Sequence, residues 1–301
     1  MTDAKPMLGR QFAATITTPD LDTTVAAYQE FFRHKVAETG NVKETLANSW
    51  GAPAEAGSPY ALLEPESGDP VYIRFVESPK VGSYRALRTF GWASIEISVA
   101  DVDGLADSLK DSPFKILGVP HDLDFNNDIR AMQVQGPAGE ILLLTEIKAN
   151  IPGWDLPRAQ CAVDRMFIAI LACRDLDETC RDFKNIYGRP AGDMIETAIW
   201  TLNDSFGFDR LKKHRITTVA LTGKGLLELD QYPDGAEKRP SNEGRLPPGV
   251  AMISFGRGDL ASVGSRPVAA PFVAEGLLYD GSNTQTFIGE NDERFELIGP
   301  A

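Results

Sequence analysis

The chain has 301 residues, 43% hydrophobic and 24% charged, with 30 Lys and Arg against 43 Asp and Glu for a net charge of −13. That length suggests about two domains, and the composition excludes a disordered chain, a coiled coil and a collagen-like fibre. The acidic balance argues against broad nucleic-acid binding and against anionic membrane surfaces, because both require a basic footprint.

The opening MTDAKPMLGRQF lacks an apolar core of signal-peptide length, and no apolar run reaches the roughly 20 residues that span a bilayer. Cys161, Cys173 and Cys180 are too few and odd in number for a disulfide framework, so a reduced, cytoplasmic setting is expected. With only His34, His121 and His214, a histidine-rich metal site is nearly excluded.

In chain order, one unit recurs: an apolar strand, an Asp-containing turn, then an amphipathic stretch. It begins with FAATITTPDLDTTVAAYQEFF at Phe12, where Leu21, Val25, Tyr28 and Phe32 fall at helical spacing. GDPVYIRFVES, Gly68 to Ser78, supplies its closing strand. The second copy is ASIEISVADVDGLADSL from Ala93. Strands are expected at Phe114–Gly118 and Ile129–Val134, then in the closing GPAGEILLLTEI, Gly136 to Ile147. Ile147 to Arg165, with KANIPGWDLPRAQ, has no periodicity and reads as the boundary.

The third copy is FIAILACRDLDETCRDFKNIYG from Phe167, with Leu176, Cys180, Phe183 and Ile186 on one helical face. Strands are expected at Trp200–Leu202 and Ile216–Leu221, then in GKGLLELDQY. Tyr232 to Pro248 reads as a mobile loop, a lid or a plain surface connection. The fourth copy is VAMISFGRGDLASVGS from Val250, closing in ENDERFELIGP. The turn aspartates Asp20, Asp101, Asp175 and Asp259 lie 81, 74 and 84 residues apart, and each is placed to cap the following helix. The fold expected is α+β: four βαβββ modules that must pair, because one module cannot close its own sheet.

The PDLD, ADVD and RDLD turns, GPAGEILLLTEI and the closing ERFELIG resemble the vicinal oxygen chelate superfamily, which includes glyoxalase I, bleomycin-resistance proteins, fosfomycin-resistance enzymes and type I extradiol dioxygenases. The resemblance covers essentially the whole chain. It implies two glyoxalase-like domains: residues 1–147 (modules one and two) and 166–301 (modules three and four), joined by a linker at 148–165. It also implies a metal held in a cup by a first-strand His and a last-strand Glu. Matched residue by residue, the first-strand positions fall on Ala13, Ser94, Ile168 and about Met252, and the last-strand positions on Arg74, Leu143, Glu228 and Glu296. Both histidines of the family site are therefore missing, so no metal is expected by the usual motif.

Glu228 and Glu296 are the expected catalytic pair, facing each other across the cup of modules three and four. Like charges there would push one pKa upward, and an atypical metal would have only these two as ligands. Substrate contacts are expected from Arg74, Tyr72, His121, Arg130 and Trp200, with Tyr60 and Phe206 as further lining. An ion pair between Arg74 and Glu96 is the alternative for Arg74. A surface turn is the plainer reading of His121, and a solvated one of His214. Cys173 and Cys180 read as core.

The resemblance implies action on a small aromatic or hydrophobic carbonyl or carboxyl compound by metal-independent or atypical-metal lyase or isomerase chemistry. The alternatives are an extradiol-type ring-cleaving enzyme and a non-catalytic binder that sequesters a small molecule. The expected partners are a small molecule and a second copy in a homodimer, with no nucleic acid or membrane.

Overall fold

The computed structural model describes residues 8–123, 126–257 and 267–299. Module one contributes β1 (Leu8–Thr18), α1 (Leu21–Phe32), β2 (Lys35–Asn41), α2 (Glu44–Ser49), β3 (Pro59–Glu64) and β4 (Tyr72–Glu77). Module two contributes β5 (Gly91–Val99), α3 (Val102–Ser108), β6 (Lys115–Leu123), β7 (Asn126–Gln135) and β8 (Ile141–Ile147). Module three adds β9 (Val163–Cys173), α4 (Leu176–Asn185), β10 (Ile195–Ala198), α5 (Trp200–Phe206), β11 (Lys213–Ala220) and β12 (Leu226–Gln231). Module four adds β13 (Gly249–Arg257), β14 (Phe272–Val273), β15 (Asn283–Ile288) and β16 (Arg294–Gly299).

The turn aspartates act as the sequence predicts. The carboxylates of Asp20, Asp101 and Asp175 accept from the backbone N–H of Thr23, Gly104 and Glu178 at 2.9, 2.9 and 2.8 Å. Each thereby satisfies an N–H that the first helical turn leaves open. Asp259 lies outside the described residues. The segment Trp200–Leu202, expected as a strand, is the start of α5. Gly207 ends that helix at φ 69°, and Leu202 is buried against Ala172 and Tyr232. Tertiary burial and the glycine stop outweigh a short apolar run that is ambiguous by itself.

Two eight-stranded sheets result, in the orders β14-β15-β16-β13-β1-β4-β3-β2 and β10-β11-β12-β9-β5-β8-β7-β6. Module one therefore shares a sheet with module four, and module two with module three, joined by antiparallel β1–β13 and β5–β9 pairs. This corrects the expected pairing of one with two and three with four. The segment 148–162 connects two halves of one sheet rather than two sheets. Each module presents the free edge of its first strand, and any other module could cover it. Charge distinguishes the pairings: three with four would set Glu228 against Glu296, whereas the observed one sets Arg74 against Glu296.

Adjacent modules do meet behind the sheets. Phe32 of α1 stacks on Phe114 at 4.4 Å, and Tyr28 donates to Glu140 of module two at 2.6 Å. Phe183 and Tyr187 pack on Phe295 of module four, and Trp92 of β5 lies against Phe255 and Phe295. One hydrophobic core thus runs between the sheets and leaves two concave faces: a terminal cup from modules one and four and a central cup from modules two and three.

Candidate functional site

Parallel pairing of first and last strands sets residues side by side on the concave faces. In the terminal cup Thr15 lies beside Arg74 and Ser254 beside Glu296. In the central cup Glu96 lies beside Leu143 and Ile170 beside Glu228. The first-strand partners are therefore Thr15, Glu96, Ile170 and Ser254, each two residues beyond the expected Ala13, Ser94, Ile168 and Met252. A two-residue shift keeps the face, so alternation alone could not reveal it.

The terminal cup holds a closed polar cluster. Arg74 and Glu296 are 3% and 0% exposed and meet at 2.9 Å. Glu296 also accepts from Trp50 Nε1 at 2.8 Å, Tyr279 OH at 2.8 Å and Ser254 Oγ at 2.6 Å. Arg74 donates to Thr15 Oγ1 from Nε and Nη2 at 2.9 and 2.8 Å, and to Tyr279 OH at 2.6 Å. Its guanidinium carbon sits 4.6 Å from the Trp50 ring centroid. Burial pulls the guanidinium pKa down, and the Glu296 carboxylate and Tyr279 hydroxyl reverse that into a net rise. The partner of Arg74 is thus Glu296, not Glu96. Nor does Glu296 face Glu228, which stands in the other sheet.

Above this cluster opens a cavity of about 220 Å³. Its wall is formed by Trp50, Tyr60, Leu62, Phe272, Leu278 and Tyr279, with Arg74 at its floor. Tyr60 donates to Glu38 at 2.7 Å, and burial followed by Glu38 pushes its pKa up to about 12. At the mouth, Lys43 pairs with Glu275 and Leu277 N–H donates to Glu38 at 2.6 Å. These contacts clasp module one to the β14–β15 connection. Trp50, Glu38 and Tyr279 escaped sequence reasoning because they lie on a short helix end, on the polar edge strand β2 and in a connection. Their only local signal is aromatic residues in otherwise polar segments.

The central cup is filled differently. Ile151 of the linker and Leu156 pack with Ile168, Ile170, Leu143 and Leu226. Leu202 and Ile199 pack with Ala93, Ala172 and Tyr232. Among these apolar groups stand Glu96, Glu228 and Asp230. Burial, then Glu228, pushes Glu96 to about 8, and burial pushes Asp230 to about 7. Burial and then Asp230 raise Glu228 well above the carboxylate range. None of the three forms an ion pair among the described residues.

Neither donor set suits a divalent metal. The carboxylate of Glu296 is occupied by four donors, one of them a guanidinium, and the central cup offers Leu143 and Ile170 at two of its four positions. Among the described residues no three His, Cys, Asp or Glu side chains converge on a common point.

The remaining expected site residues lie elsewhere. Tyr72 shares the Arg74 face of β4 but stands at the strand's start, outside the cavity. Arg130 is held by Asp103 at 2.8 and 2.9 Å and by Asp122 at 3.2 Å. His121 and Trp200 stack on each other at 4.6 Å between β6 and α5. Phe206 stacks on Phe208 and carries Arg88 over its ring. His214, expected as solvated, is 7% exposed and hydrogen-bonded through Nε2 to Asn203 Oδ1 at 2.7 Å. The Lys-Lys-His-Arg run forms a strand whose alternation turns the histidine inward. Cys173 is buried and all three cysteines are free.

Two concave eight-stranded sheets, each closed by a pair of modules, with a described helix after the first strand in three of the four, give this chain a glyoxalase-like fold. Glyoxalase I from Zea mays superposes with a TM-score of 0.64 at 17% identity, over 96% of this chain and 92% of that one. A candidate dioxygenase from Bacillus subtilis superposes with a TM-score of 0.65 at 13% identity, over 98% of this chain and 86% of that one. No protein-family model and no curated protein matches the sequence. Among the described residues, no helix is long and apolar enough to cross a membrane.

Proposed function

We propose that this protein binds a compact aromatic or otherwise hydrophobic molecule carrying a carbonyl or carboxyl oxygen, in the terminal cup and without a resident metal. One observation carries the reading: an aromatic-walled cavity of about 220 Å³ standing on a buried, hydrogen-bonded arginine. Its volume is below the roughly 300–1,000 Å³ of ordinary ligand pockets, which favours a single-ring ligand. Trp50, Tyr60 and Tyr279 supply apolar contact, and the Arg74 and Tyr279 end supplies polarity for one oxygen. The Arg74–Glu296 pair acts here as a fixed floor. With its acceptor positions filled, Glu296 is poorly placed to exchange protons with a ligand.

A second reading, metal-independent lyase or isomerase chemistry, is favoured by the Tyr60–Glu38 pair on the cavity wall. A hydroxyl held 2.7 Å from a carboxylate can pass a proton to or from a bound carbonyl compound.

Both readings are tested by screening single-ring aromatic acids, aldehydes and ketones for thermal stabilisation, followed by product analysis. Stabilisation that Trp50→Ala abolishes supports binding in the terminal cup. Turnover lost in Glu38→Gln with binding retained supports the enzyme. Stabilisation indifferent to Trp50 and Tyr60 substitutions rejects the terminal cup as the site.

A further inference from the structure

A second cavity, of about 180 Å³, lies where β5, β13 and β16 begin, beneath the connection from β12 to β13. Lys238, Arg239 and Arg294 all line it, with Ser241 and Trp92. In a chain of net charge −13 this is an unusual gathering of positive charge.

The charges are poorly neutralised. Arg239 is 8% exposed and donates to Thr89 Oγ1 and to the backbone oxygens of Trp92, Pro248 and Val250, at 2.7 to 3.4 Å. None of those partners is anionic. Arg294 is half-buried, and among the described residues its side chain makes one hydrogen bond, from Nε to the Trp50 carbonyl at 3.2 Å. Its two terminal nitrogens have no hydrogen-bond partner there. Burial draws its pKa below the ordinary guanidinium value, and Arg239 adds to the effect against Asp292.

Two carboxyl groups border the cavity, and only Asp292 offsets part of this positive charge. Asp292 is shared by Arg174 at 2.5 Å and Lys238 at 3.5 Å. Glu293 turns back to accept from Asn291 N–H at 2.8 Å, and burial pushes its pKa up to about 8. A guanidinium deprived of water and of a counter-ion costs stability unless something restores its partners. Its free fork of N–H groups matches the oxygens of a carboxylate or phosphate.

We propose that this second cavity binds a small oxyanion, the phosphate or carboxylate group of a ligand, through the free face of Arg294 with Lys238 at its rim. The site is separate from the aromatic cavity. Trp50 touches both, with its ring on the first and its carbonyl on Arg294.

The test is the melting temperature and calorimetric titration of the intact chain with inorganic phosphate and with acetate, against sodium chloride at equal ionic strength. One of the two anions should raise the melting temperature beyond the chloride control, and the stronger one identifies the group recognised. Arg294→Met should weaken that anion at least tenfold. It should also melt no lower than the parent without anion, because the half-buried guanidinium it removes makes one side-chain hydrogen bond among the described residues. Should Arg294→Met fail to fold, Lys238→Ala at an exposed position must still reduce the anion response. No stabilisation beyond chloride, or an equal response in Arg294→Met or Lys238→Ala, overturns the proposal.

Discussion

The terminal and central cups are built on one strand pattern and solve the same problem in opposite ways. Both bury charged side chains at pseudo-equivalent register positions. The terminal cup sets Arg74 across from Glu296 and surrounds the pair with hydrogen-bond partners. The central cup has Glu96 and Glu228 with no cation, so burial drives their pKa values up until protonation replaces an ion pair. Compensation by a counter-charge leaves the terminal cup with a rigid polar floor below an open cavity. Compensation by a proton, with Ile151 and Leu156 packed in, leaves the central cup largely filled.

The sharpest way to break this comparison is to substitute the matched glutamates. Glu296→Gln leaves Arg74 buried without a counter-charge and should cost about 3–5 kcal/mol in urea unfolding. Arg74→Met with Glu296→Leu should recover most of that loss. Glu228→Leu, at the matching register position, should be neutral or stabilising, because it removes an uncompensated carboxylate among aliphatic side chains. Equal losses at the two positions would mean that the cups do not differ in this way.

The pH dependence follows from the same difference. Glu96 and Asp230 titrate near 8 and 7 in the native protein, and Glu293 and Glu140 near 8 and 7 as well, all above ordinary carboxylate values. The native state thus holds more protons than the unfolded chain between about pH 4 and 8. Their contribution is full below pH 4 and is lost as pH rises through 7 to 8, by up to about 1.4 kcal/mol per pH unit for each group. His34 opposes this at the acid end. It is 3% exposed, neither ring nitrogen has a hydrogen-bond partner, and burial lowers it to about 4. Its contribution is present above about pH 6.5 and lost as pH falls toward 4. Scanning calorimetry should show melting temperature falling from pH 6 to 8.5, with a shallower slope in Glu96→Gln. Acid destabilisation below pH 6 should weaken in His34→Leu.

Smaller effects sharpen the picture. Tyr279→Phe removes a hydroxyl shared by Arg74 and Glu296 and should cost about 1–2 kcal/mol, within the range for buried hydrogen bonds. The same change at Tyr232, which lies outside that network, should cost less. Asp175→Ala removes one helix cap and should cost about 1 kcal/mol in chemical denaturation.

Much of the local architecture was legible in the chain. Three of the four strand–turn–helix signals, with their capping aspartates, and the closing strands lie where their spacing puts them, because each depends on neighbours in sequence. Arg74, Glu296 and Tyr60 were singled out correctly as inward-facing side chains, since strand alternation reports the face. Their partners were not legible. Arg74 was set against Glu96, and Glu228 against Glu296, because alternation says nothing about which strand edges join. Trp50, Glu38 and Tyr279 come from a short helix end, an edge strand and a connection, where no periodicity marks function.

By itself the sequence determined the repeated unit, the fold it resembles, and the replacement of the histidines expected in such cups. These are consequences of residue identity and of local backbone preference. The tertiary structure alone decided that module one closes on module four, which sets the buried Arg74 guanidinium opposite the buried Glu296 carboxylate. It also decided which cup stays open, since the choice rests on apolar groups from a connection and from strands of two modules filling one concave face and leaving the other free.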